Sequence, residues 1–198
     1  VVGCANADGG FRGRSPASDL YYTGFALNAL TALEASFPRE RVAAYVRAFG
    51  DGEDLSFVHL ACLARCRAHL DFPTDDVDAR GLRARIADRR TPDGGYNQSD
   101  GIARGSVYGC FLALGAFQDL GVAPPGPERM QRCLASLRAK DGGYANEPGM
   151  AAGITPATAA AVLTLRELGG EPEPAVADWL LRRRSLDGGF RAIPAAPV

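Results

Sequence analysis

The fold is decided by a four-residue signature, Asp93-Gly94-Gly95-Tyr96, which recurs along the chain as Asp-Gly-Gly-aromatic. The other intact copies are Asp8-Gly9-Gly10-Phe11, Asp141-Gly142-Gly143-Tyr144 and Asp187-Gly188-Gly189-Phe190. A degenerate copy, Asp51-Gly52-Glu53-Asp54, lies midway in the widest gap between them. The signature therefore returns about every 45 residues, a period typical of two-helix repeats. Complete repeats are predicted at approximately 8–50, 51–92, 93–140 and 141–186, with a closing signature at 187–190.

Each repeat contains two helical segments with different apolar patterns. The first segment is apolar nearly all round and is predicted over 19–33, 57–70, 107–120 and 157–168. The second is apolar on one face only, as Met130, Cys133 and Leu134 show at i, i+3 and i+4. A helix that is apolar all round needs cover on both sides, so the alternation predicts an inner and an outer layer. Thr155 is predicted to cap an inner helix, with Pro156 in its first turn.

Composition and charge exclude several classes of function. The chain has 22 Lys+Arg against 23 Asp+Glu, a formal net charge of −1. This balance argues against nucleic acid or an anionic membrane as the main partner, because both select basic surfaces. No apolar run approaches the ~20 residues that a membrane span needs. The odd number of cysteines, 5, does not indicate a disulfide framework and predicts reduced thiols in the cytoplasm.

The period and the signature resemble the prenyltransferase and squalene-cyclase repeat, which builds the α/α toroids of protein prenyltransferase β subunits and terpene cyclases. The resemblance covers almost the whole chain and implies an all-α, single α/α-toroid domain over residues 1–198. Toroids of this kind usually close with six helix pairs. The four visible repeats are therefore expected to form an incomplete ring or to belong to a longer chain.

Within that family, the first repeat is most similar to the β subunit of protein farnesyl- and geranylgeranyltransferases. The similarity lies in Gly9-Gly10-Phe11-Arg12-Gly13-Arg14 followed by Asp19-Leu20-Tyr21-Tyr22-Thr23. It implies that Asp19 matches the family's zinc aspartate, although Tyr21 stands where the family has its zinc cysteine. When the repeats are aligned with each other, His59 falls in the family's histidine position. Cys62 lies one helical turn further along the same face, so the implied zinc ligands are Asp19, His59 and Cys62.

The glycine-rich loop before the first inner helix is the predicted diphosphate site. By the same resemblance, Arg14 matches the arginine that holds the prenyl diphosphate, and Arg12 lies close by. A helix N-terminus adds partial positive charge and free N–H groups there, and Mg²⁺ is expected to accompany the diphosphate. The isoprenoid tail is expected to contact aromatic side chains of the inner helices, namely Tyr21, Tyr22, Phe25, Tyr108 and Phe111.

Three functions, only some of them enzymatic, remain open. The first is a prenyltransferase β-subunit-like protein that uses Asp19, Tyr22 and His59 to transfer an isoprenoid from its diphosphate to a cysteine thiol. Its expected partners are a protein or peptide acceptor and an α-like subunit. The second is a non-catalytic toroid scaffold or isoprenoid-binding module that has lost the zinc site, which Tyr21 in the cysteine position favours.

The third function is a small terpene-cyclase-like enzyme. The run Asp75-Asp76-Val77-Asp78 has the composition of the acidic motif of class II cyclases, but in reversed order. The run stands at the start of a charged outer helix, where an N-cap and first-turn acids explain it as well.

Overall fold

The computed structural model describes residues 1–193, which form α-helices joined by turns. The four helices of the predicted inner layer are α1 (Leu20–Ala32), α3 (Phe57–His69), α5 (Val107–Asp119) and α7 (Thr155–Glu167). They alternate with α2 (Arg39–Arg47), α4 (Val77–Ala87), α6 (Pro127–Ser136) and α8 (Ala175–Leu181). Isolated β-bridges occur within 1–193, but no strand does. The all-α prediction is confirmed, and every inner helix lies close to its predicted bounds.

The chain forms two compact units, each of which is described by itself. The first unit comprises Val1–Asp88 and Gly115–Ala123. The second comprises Arg89–Leu114 and the residues from Pro124 onward. The single domain predicted over residues 1–198 stays a prediction, and residues 194–198 lie outside the described residues. Over the described part of the chain, no helix has both the length and the apolar surface to cross a membrane.

The outer helices bury the apolar faces that their sequences predict. In α6, Met130, Cys133 and Leu134 are all buried, and in α4 Leu82 and Ile86 are buried in the same way. Full burial of a large apolar side chain contributes about 1.5–3 kcal/mol. The amphipathic pattern therefore fixes which face of each outer helix packs inward.

The signature forms the turn that precedes an inner helix. The Asp93 carboxylate accepts hydrogen bonds from the backbone N–H groups of Gly95 (3.1 Å) and Gly105 (3.1 Å). Between them, Gly94 has a φ of +91°, which a residue with a Cβ adopts only under strain. The aspartate and the first glycine of the signature are therefore both required by the geometry of the turn.

The signature aromatic is tied to the inner helix that follows it. The backbone N–H of Phe11 donates to Thr23 Oγ1 at 2.9 Å, and that of Tyr144 donates to Thr158 Oγ1 at 2.9 Å. Both rings are buried, whereas Phe190 of the closing signature is 54% exposed. The aromatic thus belongs to the contact between a turn and its own inner helix.

The start of α7 corrects one prediction. Its N-cap is Ile154, and Thr155 is already helical. The Thr155 hydroxyl donates to the Arg191 carbonyl oxygen at 2.6 Å, so it does not cap its own helix. Pro156 lies in the first turn as expected.

Candidate functional site

The first unit brings Asp19 and His59 together at the start of two inner helices. Asp19 is the N-cap of α1, and its Oδ1 accepts the Tyr21 N–H at 2.7 Å. The other carboxylate oxygen, Oδ2, lies 3.3 Å from His59 Nε2. Both side chains are half-buried, so the pair is fixed by local structure and remains open to solvent.

Ser56 holds the other ring nitrogen of His59. It is the N-cap of α3, and its Oγ lies 2.8 Å from His59 Nδ1. An ionised carboxylate only accepts hydrogen bonds, so every group is satisfied when Nε2 carries the proton towards Asp19. The other nitrogen, Nδ1, then accepts from the Ser56 hydroxyl. The imidazole is oriented as a base that faces a solvent-exposed serine.

Ser56 has no assigned role in the sequence analysis. The signal that could have found it is the spacing Ser56-x-x-His59 at the start of a helix. A side chain at the N-cap reaches the residue three positions later, because that residue lies above it in the first turn. When the repeats are aligned, Asp19 of the neighbouring inner helix α1 falls in the same position as Ser56, so both residues start an inner helix.

The predicted zinc ligands do not fit a zinc site. Zinc takes four ligands in structural sites and three plus a water in catalytic ones. Asp19 and His59 lie together, but among residues 1–193 no group of three His, Cys, Asp or Glu is arranged to hold a metal ion. Burial, with a further effect of the Asp19 charge, raises the pKa of Cys62 to about 11, so its thiol stays protonated near neutral pH. Zinc binding by these residues stays a prediction.

Three aromatic side chains of α1, called here the aromatic cluster, are exposed next to Asp19 in the sequence. They are Tyr21, Tyr22 and Phe25, of which Phe25 is 57% exposed. The Tyr21 ring packs edge-to-face on both others, with centroids 5.5 Å from Tyr22 and 4.8 Å from Phe25. Contiguous exposed aromatic surface of this kind marks a binding surface in soluble proteins.

The loop of Arg12, Gly13 and Arg14, called here the arginine loop, lies against the same cluster. A Cβ added to Gly13 would meet the Tyr22 ring at 2.1 Å, so the loop approaches the ring as only glycine allows. Arg12 and Arg14 are exposed on either side. Arg12 Nη2 donates weakly to the Gly3 carbonyl at 3.4 Å. The Arg14 side chain has no hydrogen bond or ion pair within the described residues.

The other two predicted tail-binding residues lie in the second unit. Tyr108 and Phe111 are on the part of α5 that belongs to that unit. Phe111 is exposed and Tyr108 is half-buried, with its backbone N–H donating to Asn146 Oδ1 at 3.0 Å. Their part in an isoprenoid site stays a prediction.

The acidic run Asp75 to Asp78 has a structural use in the first unit. Asp76 is the N-cap of α4 and accepts the Ala79 N–H at 2.7 Å. It also binds the guanidinium of Arg67, at 2.7 Å, whose side chain is only 4% exposed. Burial opposes ionisation of Asp76, but the hydrogen bonds from Ala79 and Arg67 outweigh it and lower its pKa. A carboxyl kept ionised is a poor acid for protonating an alkene, so the geometry favours the capping interpretation.

Comparison with known proteins identifies a family. A family model described as the prenyltransferase alpha-alpha toroid domain matches residues 1–192. This match spans all four predicted repeats and nearly the whole chain. No curated protein matches the sequence.

Proposed function

Since the chain belongs to the prenyltransferase alpha-alpha toroid family, we propose that it is a protein prenyltransferase β-subunit-like protein. It binds an isoprenoid diphosphate on the first unit and transfers the isoprenoid to a cysteine thiol of a protein or peptide acceptor. One observation carries the proposal most strongly. The aromatic cluster, the arginine loop and the Asp19–His59 pair all meet at the first turn of α1.

The two ends of the ligand fit different parts of this surface. Arg12 and Arg14 offer guanidinium groups, which form paired, charge-assisted hydrogen bonds with phosphate oxygens. The rings of Tyr21 and Phe25 offer apolar area to the isoprenoid tail, and burying it contributes about 25 cal/mol per Å². Tyr22 contacts both the loop and the cluster, so it joins the polar and apolar halves of the site.

The reaction needs a base, and His59 can act as one because Ser56 and Asp19 orient its two ring nitrogens. The acceptor thiol gives its proton to the Ser56 hydroxyl as that hydroxyl gives its own to His59 Nδ1, and Asp19 stabilises the imidazolium formed. The sulfur forms a bond to C1 of the isoprenoid as the C1–O bond breaks. The diphosphate leaves with the bonding electrons, and Arg14 offsets the charge that develops on it.

A second candidate function is an isoprenoid-binding module that performs no transfer. The observation that favours it is Tyr21 in the position of the family's cysteine, together with the lack of a third zinc ligand among residues 1–193. Elemental analysis of the purified protein tests the zinc prediction. About one equivalent of zinc that is lost in Asp19→Ala and His59→Ala supports it, whereas less than about a tenth of an equivalent removes it.

Binding is tested by calorimetric titration with farnesyl and geranylgeranyl diphosphate. Arg14→Ala is expected to weaken binding about ten- to a hundredfold, because a hydrogen bond to a charged group is lost. The matched control is Arg83→Ala on α4, which should bind as the wild type does. If the wild-type protein binds neither compound, or if Arg14→Ala binds them as well as the control, the proposed site is wrong.

Transfer is tested separately, with a labelled isoprenoid diphosphate and a cysteine-containing peptide. Label on the peptide thiol supports the prenyltransferase, and His59→Ala should slow its appearance at least about a hundredfold. Tight binding of the diphosphate without any transfer would instead establish the binding module.

A further inference from the structure

The second unit contains a pocket that the prenyl site does not use. Its volume is about 280 Å³, and its lining residues are Asp141, Trp179, Arg182, Arg183 and Arg191. The lining thus contains three arginines and one aspartate. A pocket of this size and charge suits an anion with several oxygen atoms.

One of the arginines, Arg183, already forms an ion pair with Asp141. Arg183 Nη2 lies 3.0 Å from Asp141 Oδ2, and its guanidinium lies 4.1 Å from the centroid of the Trp179 ring. Burial opposes ionisation of Asp141, but hydrogen bonds from the backbone of Gly143 and Gly153 and from the Trp179 side chain, and then the charge of Arg183, lower its pKa. This acid–base pair is therefore satisfied, and the positive charge left over belongs to the other two arginines.

The pocket also contains a buried hydrogen-bond donor without an acceptor. Arg191 Nε is buried and lacks a hydrogen-bond partner within the described residues. The Trp179 side chain, which is 2% exposed, interacts through its N–H with the Asp141 carboxylate. The side chain of Arg182 is exposed and makes no ion pair within the described residues. An unsatisfied buried donor costs about 1–3 kcal/mol and is rare in folded proteins.

The signature turn at Gly143 fixes the position of the Trp179 indole. A Cβ added to Gly143 would meet the Trp179 ring at 2.4 Å, so the ring lies directly on the signature turn of the fourth repeat. The same kind of cover occurs in the first repeat, where Tyr45 lies over Gly10. The Trp179 ring is thus held by packing as a fixed wall of the pocket.

We propose that this pocket binds a phosphoryl anion, as inorganic phosphate, a phosphate monoester or a diphosphate group. Arg182 and Arg191 supply paired, charge-assisted donors to it. The oxygens of the anion accept from guanidinium groups that make no ion pair within the described residues. This inference goes beyond the proposed prenyl transfer and does not depend on it, because it uses other helices and another unit.

The chain contains a single tryptophan, so tryptophan fluorescence reports on this pocket directly. Wild-type protein is titrated with inorganic phosphate and then with inorganic diphosphate, with chloride keeping the ionic strength constant. A saturable change in Trp179 emission is expected. Arg191→Gln and Arg182→Gln should each weaken binding at least about tenfold. The control Arg166→Gln, an exposed arginine on α7 of the same unit, should titrate as the wild type does.

The proposal is overturned if neither anion gives a saturable change up to about 10 mM, or if chloride alone gives the same change. It is also overturned if both glutamine variants titrate like the control. Arg182 is exposed, so its variant should fold even where loss of the half-buried Arg191 side chain destabilises the unit. Far-UV circular dichroism of each variant verifies that the helices are intact.

Discussion

At the scale of single residues, His59 has surroundings different from those implied by the family resemblance. The resemblance implied a zinc ligand, whereas the structure holds the imidazole between Ser56 and Asp19. The pair with Asp19 is partly exposed, and ion pairs of that kind contribute only about 0–1 kcal/mol to stability. His59 should therefore matter far more to chemistry than to folding.

This difference gives the first prediction. His59→Ala should change the free energy of unfolding by no more than about 1 kcal/mol while slowing isoprenoid transfer at least about a hundredfold. Urea unfolding and a single-turnover transfer assay measure the two effects. Ser56→Ala is the companion variant, and the loss of the N-cap of α3 should cost about 1 kcal/mol. A His59→Ala protein that is strongly destabilised but still transfers at the wild-type rate would show that the histidine is structural.

At the scale of the element, the signature turn depends on its aspartate. Burial opposes ionisation of Asp93, but hydrogen bonds from Thr91, Gly95 and Gly105 outweigh it and lower its pKa. A carboxyl whose pKa is lower in the folded state adds stability that is complete above its unfolded-state value, near about 3.9. That stability is lost as the pH falls through the folded-state pKa. Asp93 should therefore make its repeat sensitive to acid.

The second prediction concerns the loss of stability at low pH. The free energy of unfolding should decline below about pH 4, and Asp93→Asn should decline less steeply because it has no proton to take up at this position. Urea unfolding at a series of pH values measures the slope. The control Asp178→Asn removes an exposed carboxylate that makes no hydrogen bond within the described residues. An Asp93→Asn slope equal to the wild-type slope would refute the role of the carboxylate.

The start of α4 gives the third prediction, which separates a cap from a catalytic acid. Asp76→Ala removes the helix cap and leaves the buried guanidinium of Arg67 without its carboxylate. The expected loss of stability is about 2–4 kcal/mol, measured by urea unfolding. Asp75→Ala, one residue earlier and exposed, should lose almost nothing. If instead Asp75→Ala abolishes an activity on an isoprenoid alkene while both variants remain stable, the cyclase interpretation of this run is correct.

At the scale of the whole molecule, periodic features could be read from the sequence and individual contacts could not. The signature spacing and the apolar patterns predicted the four inner helices, because the same local pattern occurs in each repeat and each occurrence supports the others. The contact of Ser56 with His59 and the hydrogen bond from Thr155 to the Arg191 carbonyl depend on the positions of loops and helix ends. Neither contact recurs with the repeat period, so the sequence pattern does not reveal it. The arginine pocket escaped prediction for the same reason, since Arg191 and Asp141 come from different signature turns.

The central claim is that one surface of the first unit binds both ends of an isoprenoid diphosphate. Its most direct test is the dissociation constant of farnesyl diphosphate and of inorganic diphosphate, measured by calorimetry. The measurement is made with Arg191→Gln present throughout, so that the second unit's pocket does not contribute. Phe25→Ala should weaken farnesyl diphosphate about tenfold through lost apolar contact and leave inorganic diphosphate unchanged. Arg14→Ala should weaken both compounds, whereas equal binding of farnesyl diphosphate by the two variants and their parent would contradict the claim.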